Sequence, residues 1–324
     1  MGKLIRIGTR ESQLAVWQAT LVQQLLAKNS VDSELVFIKS EGDIDLQTPL
    51  YEMGVQGVFT RSLDIALINN KIDIAVHSMK DVPTQLAKGI AQSAVLERAS
   101  YKDIFVYKGD PELVKAQLAI DHNDIGNSEN PSSLHHSQFT IATSSIRRKA
   151  QWLNRYPDHL IENLRGNVNT RLRKVQESNW QGAIFAAAGL ERINLRPENA
   201  IDLDWMLPAP AQGAIMVVCR EDDQVSLEAC QQFNHADTAL CTKIERDFLK
   251  TLLGGCSTPI SALASVTNGQ VLFRGNILSV DGKEKVDIQK TVALTDALNL
   301  GNLAATEILN KGADAIANAI RNAK

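Results

Sequence analysis

Lys71-Ile72-Asp73-Ile74-Ala75-Val76-His77-Ser78-Met79-Lys80-Asp81-Val82-Pro83 reads as a strand that stops abruptly in a polar turn. Ile72, Ile74 and Val76 alternate beside Ala75, so both faces of residues 71–77 are apolar, as in a strand covered on two sides. Residues 62–70 just upstream have helical spacing. Moving outward, the same alternation recurs. Residues 4–8 and 34–39 read as strands, and residues 12–28 as a helix capped by Ser12. Downstream, residues 139–142 form a strand, a helix starts at Ser145, a strand lies near 160–164, and another helix starts at Thr170. Residues 183–187 and 215–218 complete the series. Such alternation predicts mainly parallel sheets with helices on both faces.

Composition agrees. At roughly 150 residues per domain, 324 residues make two or three domains. With 44% hydrophobic and 22% charged residues the chain can bury real cores, which excludes a disordered tail, a fibre or a small stapled module. A net charge of −3 excludes a surface-wide attraction to nucleic acid. The cysteines, 219, 230, 241 and 256, include no Cys-x-x-Cys pair, so neither a zinc clip nor a disulfide framework is expected. Residues 1–7 lack the apolar run of a secretory signal, and no window approaches the ~18 apolar residues of a membrane span. Cytoplasm is the expected compartment. Residues 41–57 are aperiodic and read as a mobile loop, 121–137 as a polar surface excursion, and 261–324 as a small α+β unit after a break at Gly254, Gly255 and Pro259.

Charge is concentrated locally. Between Thr143 and Lys174, eight basic residues face only Asp158 and Glu162, a local excess of six. Thr143-Ser144-Ser145-Ile146-Arg147-Arg148 lies where a strand gives way to a helix. Leu164-Arg165-Gly166-Asn167 with Arg171 repeats that arrangement, and Thr9-Arg10-Glu11-Ser12 resembles it. Arginines in a first helical turn oppose the helix dipole by about 0.3–1 kcal/mol, a conflict that a bound anion removes. Three such turns beyond strand carboxyl ends suggest a polyanion-binding cleft. A solvated face with ordinary caps is the plainer alternative; nucleic-acid binding is a third, without the aromatic interleaving it needs.

Asp81 is delivered to a strand's carboxyl end beside Lys80, where a carboxylate could act as general acid or stabilise a cation; a structural turn before Pro83 is the alternative. Gly254-Gly255-Cys256-Ser257-Thr258-Pro259 offers a thiol little steric cover, and such access favours a reactive or modified cysteine; a small buried structural cysteine is the more common alternative. Cys219, Cys230 and Cys241 read as structural, and His77 packs in or near the core without a metal.

Together and in this order, these segments resemble the porphobilinogen deaminase (hydroxymethylbilane synthase) family. The resemblance runs from Arg6 to Ile260 through Thr9-Arg10-x-Ser12, residues 76–83, Thr143-Ser144-Ser145-x-Arg147-Arg148, Leu164-Arg165-Gly166-Asn167, residues 207–213 and Gly254-Gly255-Cys256. It implies two similar doubly wound α/β domains with crossing segments, periplasmic-binding-protein-like, plus a small C-terminal α+β domain. The divisions would be 1–98 with 202–222, then 99–201, then 223–324, with a strand regained around residues 214–220. It implies a transferase of haem (tetrapyrrole) biosynthesis that deaminates four porphobilinogen molecules and joins them into linear hydroxymethylbilane, with dipyrromethane as cofactor on a thioether to Cys256. Twelve carboxylates on six rings would be held by Arg10, Arg147, Arg148, Arg165 and Arg171, with Ser12, Ser78, Lys80, Thr143, Ser144 and Ser145 as further donors. Gly166 and Gln212 would line the site and Phe59 would cover the cofactor. Asp81, buried near the pyrrole nitrogens, would help protonate the leaving amino group and stabilise the methylene-pyrrolenine cation. A monomer without metal, membrane or nucleic acid is expected.

The resemblance has departures. Glu52 and Gln56 stand where the family's loop carries lysines, and Asn169 stands where a glycine is expected, a change that asparagine's tolerance of positive φ makes mild. The residues by themselves leave one other function open, a non-catalytic solute-binding protein with paired α/β domains, which would bind ligand without a reactive Cys256 or Asp81.

Overall fold

The computed structural model describes residues 3–39, 60–119, 138–252 and 258–322. The expected loop at 41–57 with Glu52 and Gln56, Phe59, the excursion at 121–137 and the Gly254-Gly255-Cys256 segment lie outside these residues.

The chain begins with β1 (Ile5–Thr9), α1 (Gln13–Lys28), β2 (Ser33–Phe37), α2 (Arg61–Ile68), β3 (Ile74–Ser78) and β4 (Ile90–Val95). Then come β5 (Asp103–Tyr107), α3 (Pro111–Ala119), β6 (Thr140–Ala142), α4 (Ile146–Arg155), β7 (Leu160–Glu162), α5 (Val168–Glu177), β8 (Gly182–Ala186), α6 (Ala187–Glu191) and β9 (Ala200–Asp202). The rest comprises β10 (Ile215–Arg220), α7 (Gln224–Gln231), α8 (Ala236–Leu252), β11 (Ile260–Thr267), β12 (Gln270–Leu278), β13 (Lys285–Ala293), α9 (Leu300–Ile308) and α10 (Asp314–Asn322).

Among the described residues the strands form three sheets, ordered β2-β1-β3-β10-β4, β7-β6-β8-β5-β9 and β11-β12-β13. The first two share one topology. In each, three parallel strands are followed by one antiparallel strand supplied by the far end of the chain's excursion: β10 returns to the first sheet, and β5 opens the second. Both sheets are therefore mixed, which corrects the expectation of mainly parallel pairing. An apolar run carries no sign of its direction, so Ile104-Phe105-Val106 and residues 215–218 read alike either way up.

Period-two alternation assigns each strand's side chains to two cores. Ile74, Val76, Ile215 and Val217 pack with Ala19, Val22 and Leu26 of α1 on one face of the first sheet. Ala75, Met216 and Val218 pack with Leu63, Ala66 and Leu67 of α2 on the other. In the second sheet Phe105 and Tyr107 meet Trp152 of α4 and Tyr156 just after it, while Ile104 and Val106 meet Val175 of α5. Each sheet is thus covered on both faces, the doubly wound arrangement. The C-terminal part is an antiparallel meander whose inner face (Ala262, Val271, Phe273, Ile277) packs on Ile244 and Phe248 of α8 and on α9 and α10. Expected β-structure around residues 271–274 is the first half of β12, whereas β4, β5, β9, β11 and β13 were not foreseen.

Candidate active site in the cleft

Four of the expected segments follow the carboxyl ends of parallel strands. Residues 10–12 follow β1, residues 79–81 follow β3, residues 143–145 follow β6, and residues 163–167 follow β7. Since β1 and β6 hold equivalent places in the two sheets, the similar turns after them are a topological pair.

Local chemistry shapes each turn. Ser12 caps α1 by accepting from the Ala15 N–H at 3.4 Å, and Ser145 caps α4 by accepting from the Arg148 N–H at 3.4 Å. Each keeps its O–H proton to donate. Ser78 accepts from Gln18 Nε2 at 2.9 Å, with the same result. Ser144 differs: its hydroxyl donates toward Asn163 Oδ1 and the Leu164 carbonyl and accepts from the Leu164 N–H at 3.1 Å, so it clamps two turns together. Thr143 Oγ1 accepts from the Ser145 N–H at 3.2 Å. Gly166 sits at φ +113°, and a Cβ there would stand 2.7 Å from Thr170 Cγ2. Its carbonyl accepts from Arg171 Nε at 2.7 Å, which aims that guanidinium. Asn167, not Thr170, marks the start of α5, accepting from the Thr170 N–H at 3.0 Å. Asn169 lies within this helix without positive φ, so its tolerance of that conformation is not called upon; it donates to Gln13 Oε1 at 3.1 Å, joining α5 to α1.

Arg147 and Arg148 occupy the first turn of α4, where they oppose the dipole. The anion that relieves them is first of all the protein's own. Asp103, 0% exposed, meets Arg147 Nη2 and Arg148 Nη2 at 2.7 Å each, and accepts from Gln212 Nε2 at 2.9 Å. Arg147 also donates to the Leu207 carbonyl at 2.8 Å and Arg148 to the Ile184 carbonyl at 3.0 Å. Lys80 donates to Gln212 Oε1 at 3.3 Å, so one network runs from the first sheet's turn to the second sheet's helix.

Direction of the strands explains this convergence. Because β5 is antiparallel to β8, its first residue, Asp103, lies opposite Ala186 at β8's carboxyl end. Because β10 is antiparallel to β3, Ile215 lies opposite Ser78, which brings Gln212 to the same rim. Gln212 was an expected site residue; Asp103 was missed. The available signal was an acid opening a fully apolar strand, since a buried carboxylate must be paired.

Electrostatics confirm the proximity. Burial, with Arg148 and Arg147 nearby, outweighs Asp81 and Asp103 and pulls Lys80 down to about 8. Burial, Arg148 and Arg165 bring Arg171 to about 10 against the opposing influence of Asp81. Burial, then the charge of Arg10, pushes His77 down to about 4, so it is neutral near pH 7 and belongs to the core. Burial would raise Asp103, but Arg147, Arg148 and Lys80 hold it well below the usual carboxylate range. Arg165 is 5% exposed. Asp81 itself is exposed at the rim, not buried as expected. Cys219, Cys230 and Cys241 are buried, and burial raises their thiols, to about 12 and about 11 for the last two.

Among the described residues, six cationic side chains (Arg10, Lys80, Arg147, Arg148, Arg165, Arg171) and two carboxylates, Asp81 and Asp103, are gathered here, and four positive charges are left over among them. No helix among the described residues is long and apolar enough to cross a membrane.

A family model described as porphobilinogen deaminase, dipyrromethane cofactor binding domain, matches residues 5–228, and one described as porphobilinogen deaminase, C-terminal domain, matches residues 239–310. Porphobilinogen deaminase of Chloroherpeton thalassium is 38% identical over 291 residues, 88% of this chain and 86% of that protein. Its counterpart in Trichlorobacter lovleyi is 38% identical over 318 residues, 97% of this chain and 96% of that one. Among solved structures, the periplasmic VFT2 domain of Bordetella pertussis BvgS aligns with a TM-score of 0.39 and 12% identity, over 71% of this chain and 87% of that one.

Proposed function

Because the chain belongs to the porphobilinogen deaminase family, we propose that Asp81 handles the proton in its reaction while the surrounding cations hold the acidic rings. The reaction is that of a transferase in tetrapyrrole (haem) biosynthesis: four porphobilinogen molecules are deaminated and joined head-to-tail into linear hydroxymethylbilane on a dipyrromethane cofactor. One observation carries the site assignment. An exposed carboxylate, Asp81, stands among guanidinium groups at the facing rims of two sheets.

The donor set fits the cofactor. Each of its two rings carries an acetate and a propionate, and those four carboxylates equal the four positive charges left over in the cleft. Attachment is assigned to the Cys256 thiol, and cover to Phe59, both outside the described residues. When bound, dipyrromethane supplies the pyrrole carbon nucleophile on which the product grows.

The chain's residues do the rest. Arg10, Arg165 and Arg171 grip carboxylates, and Gly166 leaves the turn open enough for Arg171 to be aimed. Arg147 and Arg148, already oriented by Asp103, direct their remaining field at the same ligand. Ser12, Ser78 and Ser145 donate O–H protons that their own contacts leave over, with Lys80 beside them. Thr143, Ser144 and Gln212 hold these groups in place. Asp81 helps protonate the departing aminomethyl nitrogen of porphobilinogen, and its carboxylate then opposes the positive charge left on that ring.

By the same reading the chain divides into 1–98 with 202–222, 99–201 and 223–324, a division that the membership of the three sheets supports. It works as a monomer in the cytoplasm, with no nucleic-acid partner. Asp81→Asn tests the central role: porphobilinogen binding persists while ammonia release falls by about 10²–10⁴. Retained turnover removes Asp81 from the mechanism.

A further inference from the structure

The turn that presents Asp81 is anchored at both ends, by Met79 and Val82 in the core. Met79 and Val82 are buried at 1% and 3% exposure; between them Lys80 is half-buried against Gln212 and only Asp81 is exposed. Within the segment, the Val82 N–H reaches the Met79 carbonyl at 3.2 Å. The ladder ends one residue past Ser78, where the Met79 N–H donates to the Ala214 carbonyl at 3.0 Å, and Pro83 has no N–H to donate.

Arg246 of α8 adds a restraint on the carbonyls of the turn. Its Nη1 donates to the Val82 carbonyl at 2.9 Å and more distantly to the Met79 carbonyl at 3.4 Å, and its Nη2 donates to the Pro83 carbonyl at 2.6 Å. One planar guanidinium thus grips the entry and the exit of the turn, a geometry that a single ammonium cannot reproduce. The helix behind it is itself fixed. Adjacent Glu245, 0% exposed, pairs with both terminal nitrogens of Arg98 at 2.8 and 2.6 Å and accepts from the Ala211 and Ala264 N–H groups at 2.6 and 2.8 Å.

We propose that Arg246 is a positioning residue for the reaction, holding the Met79–Pro83 turn so that Asp81 meets the substrate's amino nitrogen at reacting distance. The inference rests on the reading of Asp81 as the proton-handling group. A carboxylate displaced by about 1 Å loses on the order of 10²-fold in rate while the ring-binding arginines, on other elements, are left untouched.

The experiment compares Arg246→Lys and Arg246→Gln with wild type and Asp81→Asn, all as full-length cofactor-loaded enzyme. Rates are taken per mole of chain carrying the adduct by intact mass, so misfolding lowers yield and not kcat. Both Arg246 variants should lose about 10- to 100-fold in kcat with KM for porphobilinogen within about twofold. Backbone amides of residues 79–84 should exchange hydrogen faster, and Arg246→Lys combined with Asp81→Asn should lose no more than Asp81→Asn alone. A kcat within twofold of wild type, a rise in KM alone, unchanged exchange at 79–84, or additive losses would overturn the proposal. Full turnover in Asp81→Asn would instead remove the reading beneath it, whatever the Arg246 variants do.

Discussion

Replacing Asp103 by asparagine removes a negative charge from between Arg147 and Arg148 while leaving the side-chain shape nearly unchanged. Asp103 is fully buried, the two guanidinium groups are 5% and 6% exposed, and each contact is 2.7 Å. Breaking a buried pair by deleting one partner's charge costs about 3–5 kcal/mol. The asparagine carbonyl can still accept one of these hydrogen bonds, so the lower end, about 3 kcal/mol, applies. At about 2.1 cal/mol/K of unfolding entropy per residue, 324 residues give roughly 1.5 °C per kcal/mol, so the unfolding midpoint at pH 7 should drop by about 4–5 °C. The pH dependence is the sharper test. Asp103 is held below its unfolded pKa, so its contribution is complete above about pH 4 and is lost as pH falls through the lower folded value. The gap between wild type and variant should therefore stay constant from pH 8 to about pH 5 and narrow below about pH 4. Calorimetry across that range decides it. A drop under about 2 °C at pH 7, or a gap that widens in acid, refutes the account of Asp103 as the arginines' counter-ion.

Two further outcomes follow from the same geometry. Lys80, lowered to about 8 chiefly by burial, loses its charge as pH rises through that value, so KM for porphobilinogen should climb between pH 7 and 9 and the climb should vanish in Lys80→Arg. A flat KM profile in wild type removes Lys80 from carboxylate binding. Gly213→Ala places a Cβ 2.7 Å from the Ala99 and Ser100 carbonyls at φ +86°, whereas Gly109→Ala has φ +95° and nothing within 4 Å. The first should lower the midpoint beyond the strain of about 1–2 kcal/mol that both share, and equal shifts in thermal unfolding would show that Gly213 does not pack against residues 99 and 100.

Much of this was legible before any coordinates. Helix caps at Ser12 and Ser145, the two-sided burial of Ile74-Ala75-Val76 and the basic turns at 143–148 and 164–171 depend on neighbours within a few residues, and local spacing reports them faithfully. The dipole conflict at Arg147 and Arg148 was read as a place for an anionic ligand, and local spacing held no sign of Asp103, which lies 44 and 45 positions away in the chain and is their counter-ion in the structure.

The amino-acid order alone determined many of the strands and helices around the cleft, where cations accumulate, and that an acid follows the third strand, since periodicity, capping and charge are properties of adjacent residues. Only the tertiary structure decided that β5 and β10 run against their neighbours, and with that the meeting of Asp103, Gln212, Lys80 and the two arginines, and the grip of Arg246 on the Asp81 turn. Strand direction and long-range pairing are set by how whole faces bury one another, and no local pattern encodes them.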